Sequence, residues 1–319
     1  MNIRQTLRSC AGLAACLFLT TFAQAGAPQL KTQAPGYYRM MLGDFEITAL
    51  SDGTFMAPLD KLLSNTTPAK TEKALAAAFL SNPVETSVNG FLVNTGSKLV
   101  LIDTGAGSYF GPTLGNLLVS LKAAGYTPEQ VDEVYISHMH PDHIGALLSG
   151  GKPTFPNAIV RADKRESDYW VSQEHMDAAP KENKEFFKDA IESLTPYIAA
   201  GRYKPFDGDT DLVPGVRALA SRGHTPGHAT YVIESKGQKL ALWGDLVHAA
   251  AVQFPTPSVT IGFDSDSKSA AVQREKAFLD AAKHGYWVGA AHLPFPGIGH
   301  LRTNGTGYTW VPANYTSLR

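Results

Sequence analysis

The 319-residue sequence holds two cysteines, Cys10 and Cys16, and both fall within its first 25 residues. Those residues read as a secretory signal. Arg4 and Arg8 give a positive start, Cys10 to Phe22 a mostly apolar core, and Ala23-Gln24-Ala25 a small-x-small site, with cleavage expected after Ala25. A mature chain beginning at Gly26 then has no thiol. That excludes disulfides, a cysteine nucleophile and thiolate metal ligands together. Leu13-Ala14-Ala15-Cys16 also resembles a lipoprotein processing site, but the apolar run continues through Leu17, Phe18 and Leu19, which favours a secreted or periplasmic product. No later apolar stretch approaches the roughly 20 residues that a bilayer span needs. A strong charge of either sign is lacking as well. Removing Arg4 and Arg8 takes the formal charge from −1 to −3, and there is no basic block. Nucleic acid and membrane surfaces are therefore not the expected partners.

What is present is a chain of alternating strand and helix patterns with no repeat and no low-complexity linker. Residues 26–36 read as a polar leader and 37–319 as a single domain. Tyr37 to Ser51 divides into two strands around Leu42-Gly43-Asp44, and Ser87 to Asp103 reads as a hairpin turning at Thr95-Gly96-Ser97. Val213 to Ser221, Thr230 to Glu234, Lys239 to Trp243 and Tyr286 to Ala290 are further expected strands. Helical patterns cover Pro68 to Leu80, Thr113 to Ala124, Asp163 to Gln173, Lys181 to Leu194 and Ser267 to Lys283. Strand-rich halves, each followed by long helices, predict a layered α/β sandwich.

The densest chemistry lies in Tyr135 to Gly145, YISHMHPDHIG. An apolar run ends in three imidazoles and a carboxylate, groups that are costly to desolvate unless something pairs with them. His138 and His140 are two apart, so an extended backbone projects both to one side. Pro141 turns the chain and brings Asp142 and His143 round on a new helical turn. One segment can thus present two histidines to one metal ion and an Asp/His pair to a second. Further candidates stand at other strand ends: Asp103 in Asp103-Thr104-Gly105, His224 and His228 in GHTPGH, Asp245 after Trp243-Gly244, and His292 before LPFPG.

These motifs resemble those of the metallo-β-lactamase-fold hydrolases, and the likeness extends over nearly the whole mature chain. Gly111 to Gly115, Gly223 to Gly227 and His292 to Gly297 are similar to the methyl parathion hydrolase branch of that family. The resemblance implies an αββα sandwich with two metal ions at one edge. It places His138, His140 and His224 on the first metal and Asp142, His143 and His292 on the second. Asp245 would bridge them, which makes Asp142 and Asp245 the carboxylates of the catalytic centre. Asp103 and His228 are expected to support these ligands from behind. Such a site leaves room for a bridging hydroxide, formed near neutral pH because the metals acidify water. With only histidine and carboxylate ligands zinc is the default, and cobalt, manganese or iron are alternatives. A homodimer is implied by the resemblance alone.

The same resemblance matches Phe110, Trp170 and Phe186 to an aromatic pocket over the leaving group. It sets Leu63, His248, Ile261 and Phe263 at pocket positions where this sequence departs from efficient organophosphate hydrolases. The expected substrate is accordingly a small neutral lactone or aryl ester, with organophosphate triester hydrolysis as a weaker activity. Rival readings are an acyl-homoserine lactonase, a β-lactamase, disfavoured by Asp245, and a metal-binding protein without turnover.

Overall fold

Period-two alternation with apolar residues on both faces is the rule in the central strands. Leu99 and Leu101 pack to one side of their strand, and Val100 and Ile102 to the other. Such strands need cover on both faces, which a layered sandwich supplies. The computed structural model describes residues 27–318. From Pro35 onward the chain forms one compact body.

Two sheets make its centre. The first has six strands in the spatial order Tyr37–Leu42, Phe45–Ala57, Val84–Asn94, Leu99–Ile102, Glu133–Tyr135 and Ile159–Arg161. The second has seven, ordered Thr210–Val213, Val216–Ala220, Ala229–Ser235, Gln238–Leu242, Trp287–Gly289, Ile298–Asn304 and Gly307–Pro312. Ile47, Phe91, Val93, Val100 and Tyr135 from the first meet Ala218, Tyr231, Ile233, Leu240 and Leu242 from the second in a dry inner layer. Helices Leu117–Ala123 and Lys184–Ala199 cover the outer face of the first sheet through Leu117, Leu121, Phe187, Leu194 and Tyr197. Helix Ser267–His284 covers the second through Phe278 and Ala281. It starts on Asp266, whose side chain accepts from the Ser269 amide, and stops at Gly285 in the left-handed region. The architecture is the αββα sandwich expected of the sequence.

Three elements depart from the sequence pattern. Val213 to Ser221 is two antiparallel strands, Thr210–Val213 and Val216–Ala220, because Pro214-Gly215 reverses the chain and Gly215 takes a φ of +82°. The helix expected over Asp163 to Gln173 stops at Trp170, and a new one starts at Gln173 with Ser172 as its cap. The helix expected from Thr113 begins only at Leu117, since Gly115 is left-handed and Asp52 takes the Gly115 and Leu117 amides. No described helix is long and apolar enough to cross a membrane.

The parallel pairings decide where chemistry gathers. Leu99–Ile102, Glu133–Tyr135 and Ile159–Arg161 run parallel, as do Gln238–Leu242 and Trp287–Gly289. Their C-terminal ends open onto one edge of the sandwich, where loops rather than ladder pairing control the side chains.

Candidate metal centre

At that edge Asp103 ends its strand with a φ of +58°, a conformation that Asp tolerates better than most residues. Its Oδ1 accepts from the Ser137 amide at 2.7 Å and its Oδ2 from Ser137 Oγ at 2.7 Å. This fixes the start of the histidine stretch. His140 caps the single helical turn Pro141–Ile144, which carries Asp142 and His143.

The structure brings all seven expected ligands together in two groups that share a carboxylate. In the first, His138 Nε2, His140 Nδ1 and His224 Nε2 lie 3.0 to 3.2 Å from one another. Asp245 Oδ2 stands 3.3 Å from His224 Nε2 and 3.6 Å from His138 Nε2. In the second, Asp142 Oδ2 lies 3.6 Å from His143 Nε2 and 3.5 Å from His292 Nε2. Asp245 reaches this group too, with Oδ1 3.2 Å from His143 Nε2 and Oδ2 3.1 Å from His292 Nε2.

Each of four imidazoles is held from behind by its other nitrogen. His143 Nδ1 donates to Asp103 Oδ2 at 2.9 Å, His224 Nδ1 to Asp264 Oδ1 at 2.9 Å, His292 Nδ1 to the Ser87 carbonyl at 3.0 Å and His138 Nδ1 to Ser137 Oγ at 3.1 Å. These bonds leave Nε2 as the inward-facing nitrogen of each ring, the one a metal would take, as metal-binding histidines require. His228 is buried between Ser221 and the backbone amide of Asp245, from which its Nε2 accepts at 3.1 Å. Burial holds its pKa down at about 3, so it stays neutral.

The electrostatics sort the two halves. Burial drives His138 and His140 well below their ordinary value, reinforced by neighbouring imidazoles. Burial also opposes a proton on His143 and His224, but carboxylates outweigh it. Asp245, Asp142 and Asp103 lift His143, and hydrogen bonds to Asp245 and Asp264 lift His224 to about 9. The imidazoles in turn hold Asp245 well below the usual carboxylate range against its burial.

The donor set fits divalent metal. Inward lone pairs about 3 Å apart repel unless a cation sits among them. A tetrahedron with metal–nitrogen bonds of about 2.0–2.1 Å has edges of about 3.3 Å. His143 Nε2 and Asp245 Oδ1 are buried and face each other, yet neither has a hydrogen-bond partner. Five imidazoles, each giving up any proton on its inward nitrogen to the metal, and two carboxylates would hold two divalent ions in an oxygen- and nitrogen-only environment.

Residues 83–290 match the metallo-β-lactamase superfamily. The chain belongs to that superfamily. The crystal structure of a hydrolase of the β-lactamase superfamily, AbOPH, aligns with it at a TM-score of 0.85 and 38% identity, covering 90% of this chain and 100% of that one. AidC, a dizinc quorum-quenching lactonase in complex with a product, aligns at 0.82 and 28% identity over 88% and 99% of the two chains. An N-acyl homoserine lactonase of Bacillus cereus is 29% identical over 160 residues, 50% of this chain. The matched region spans 56% of that curated relative's length.

Within this metallo-β-lactamase framework the cluster floors a cavity of about 210 Å³. Its wall is Phe55, Phe110, Leu114, Phe186 and Phe263, and its floor includes His140, Asp142, Asp245, His248 and His292. Of the pocket residues expected from sequence, Phe110, Phe186, His248 and Phe263 line it. Trp170, Leu63 and Ile261 do not. Trp170 is buried behind His140, with ring centroids 5.3 Å apart in an edge-on contact. Leu63 and Ile261 pair in a two-stranded ladder, and their side chains fill a separate apolar cluster with Leu59, Val252 and Val259. Backbone pairing turned these two residues away from the cavity.

His248 does more than line the wall. Its Nε2 lies 3.1 Å from Asp245 Oδ2, and its ring stacks on His292 at 5.0 Å. Asp245, His248 and His292 also lie close enough together to share an ion, but unlike the four imidazoles above, the Nδ1 of His248 has no partner. Asp264 went unrecognised in the sequence because Gly262-Phe263-Asp264 reads as an ordinary turn. Phe55 and Leu114 likewise carry no motif.

Proposed function

We propose that this chain is a binuclear metal-dependent hydrolase that opens small neutral lactones, with N-acyl homoserine lactones as the leading substrate class. The observation that carries this reading is the wall of the cavity. Five apolar side chains stand over the ligand cluster, and none of the ten lining residues is a lysine or arginine. A substrate bearing a carboxylate, as β-lactams do, would find no cationic side chain in the lining to receive it. A neutral ring with an apolar acyl or aryl arm matches the wall. The lactonase activities named for AidC and for the Bacillus cereus relative support the same choice.

His138, His140 and His224 would hold one ion, Asp142, His143 and His292 the other, with Asp245 between them. Bound divalent ions would acidify water and polarise the carbonyl, and zinc fits this donor set. Asp103, Asp264, Ser87 and Ser137 keep the imidazoles in register. The aromatic wall excludes bulk water and orients the acyl arm. Asp142 has 17% of its side chain exposed and faces the cavity, so its carboxylate is placed to take the proton released by the attacking water and pass it to the departing ring oxygen.

Because apolar contact discriminates weakly between neutral aryl groups, aryl esters and organophosphate triesters are proposed as slower substrates. Export follows from the signal expected in residues 1–25, which lie outside the described residues. The metal-loaded protein should be assayed on an N-acyl homoserine lactone, dihydrocoumarin, methyl parathion and nitrocefin, with and without chelator. Chelator-sensitive lactone opening is expected to be fastest. Turnover of nitrocefin alone would overturn the reading.

A further inference from the structure

Glu166 is a fully buried carboxylate that does not line the cavity and touches none of the seven ligands by hydrogen bond. It lies in helix Lys164–Trp170. Its Oε1 accepts from the Gly227 amide at 3.0 Å and from Thr225 Oγ1. Oε2 has no hydrogen-bond partner. Thr225 follows His224, and the same helix carries Trp170 edge-on against His140. The helix therefore meets both stretches that supply the three imidazoles of the first group. The helix and the loop also touch through backbone, since a Cβ on Gly227 would come within 2.5 Å of Glu166 N. Burying a carboxyl is costly unless its hydrogen bonds repay it, and here both run to the loop that carries His224.

We propose that Glu166 is a positioning residue that ties helix Lys164–Trp170, and with it Trp170 against His140, to the His224–Gly227 loop and so sets the spacing of the three imidazoles at the first metal. Burial pushes its carboxyl up to about 7, so a neutral amide should replace it well. The inference rests on the ligand assignment above, and the test separates the two.

The full chain should be prepared as parent, Glu166→Gln, Glu166→Leu, Thr225→Val and His138→Ala. Each is titrated with zinc against a chromophoric chelator and loaded with cobalt for its visible spectrum. Removing a supporting partner typically weakens metal binding by about 10- to 100-fold. Glu166→Leu is expected to fall in that range at the first site and to alter the cobalt bands, and Glu166→Gln to restore both to within about threefold. If Glu166→Leu does not fold, Thr225→Val removes one arm of the clamp and should weaken zinc by about threefold or more. Parent-like zinc affinity and cobalt spectra in Glu166→Leu or Thr225→Val, with first-site zinc lost in His138→Ala, would overturn the clamp alone. First-site zinc retained in His138→Ala would overturn the ligand assignment and the clamp with it.

Discussion

Replacing Asp264 by asparagine tests how much a buried carboxylate behind a ligand is worth. Asp264 Oδ1 accepts from His224 Nδ1 at 2.9 Å, and its Oδ2 accepts from the Ile261 amide at 3.1 Å. Raising His224 from its ordinary 6.5 to about 9 favours positive charge on that ring by about 3 kcal/mol. Asp245 and Asp264 share this effect, so Asp264 contributes about 1–2 kcal/mol, or roughly 5- to 30-fold in affinity for a cation at Nε2. Asparagine keeps the shape and an acceptor but not the charge. Zinc affinity at the first site should fall by about that factor, with a parallel loss in kcat/KM at limiting zinc. A second consequence follows from Arg274, which is fully buried 4.0 Å from Asp264 Oδ2. Its guanidinium also donates to the carbonyls of Leu246, Pro257 and Val259, so the unpaired charge should cost less than the 3–5 kcal/mol typical of a broken buried pair, about 1–2 kcal/mol. Chelator competition reads the first effect and thermal unfolding of the metal-free protein the second. A variant that binds zinc as tightly as the parent would refute the reasoning.

Four further perturbations probe other parts of the account. Asp52→Ala strips the acceptor from the Ala106, Gly115 and Leu117 amides. It should lower stability by about 2–4 kcal/mol and raise KM, because the same loop carries Phe110 and Leu114; an unchanged Tm would refute this. Phe186→Ala should raise KM for an acyl lactone by about tenfold through lost apolar contact. Ile261→Ala should instead lower Tm at constant KM, and the opposite pattern would return Ile261 to the pocket. In the metal-free protein Glu166 keeps its proton to about pH 7, whereas the unfolded chain loses it near 4.5. The stability it confers is therefore full below about pH 4.5 and falls by about 3 kcal/mol as pH rises to 7. Urea unfolding should show that fall in the parent and not in Glu166→Gln, and parallel profiles would count against the buried acid.

The fold and the clustering of the candidate ligands were legible in the sequence for one physical reason. Histidines and aspartates at the ends of apolar strands have no packing role, so their clustering in SHMHPDH, GHTPGH, Gly244-Asp245 and Ala291-His292 carried a signal above the strand pattern. Of the supporting residues, Asp103 and His228 stood out with the ligands, whereas Asp264, Glu166 and Asp52 did not. Asp264 sits in a turn, Glu166 in the charged run KRESD, and Asp52 at a bulge in strand Phe45–Ala57 that no alternation reveals. Each draws its role from partners distant in the chain. The pocket was legible only in part. Phe110, Phe186, His248 and Phe263 reach the cavity, whereas the Leu63–Ile261 ladder and the burial of Trp170 depend on tertiary pairing.

The central claim is that two metal ions, held by seven side chains, drive lactone opening. Metal-free protein should be titrated with zinc while hydrolysis of an N-acyl homoserine lactone is followed. Activity that rises to its plateau at about two zinc ions per chain, and is abolished by His138→Ala and by His292→Ala, is the predicted result. Full activity without metal, or a plateau at one ion that survives His292→Ala, would contradict it.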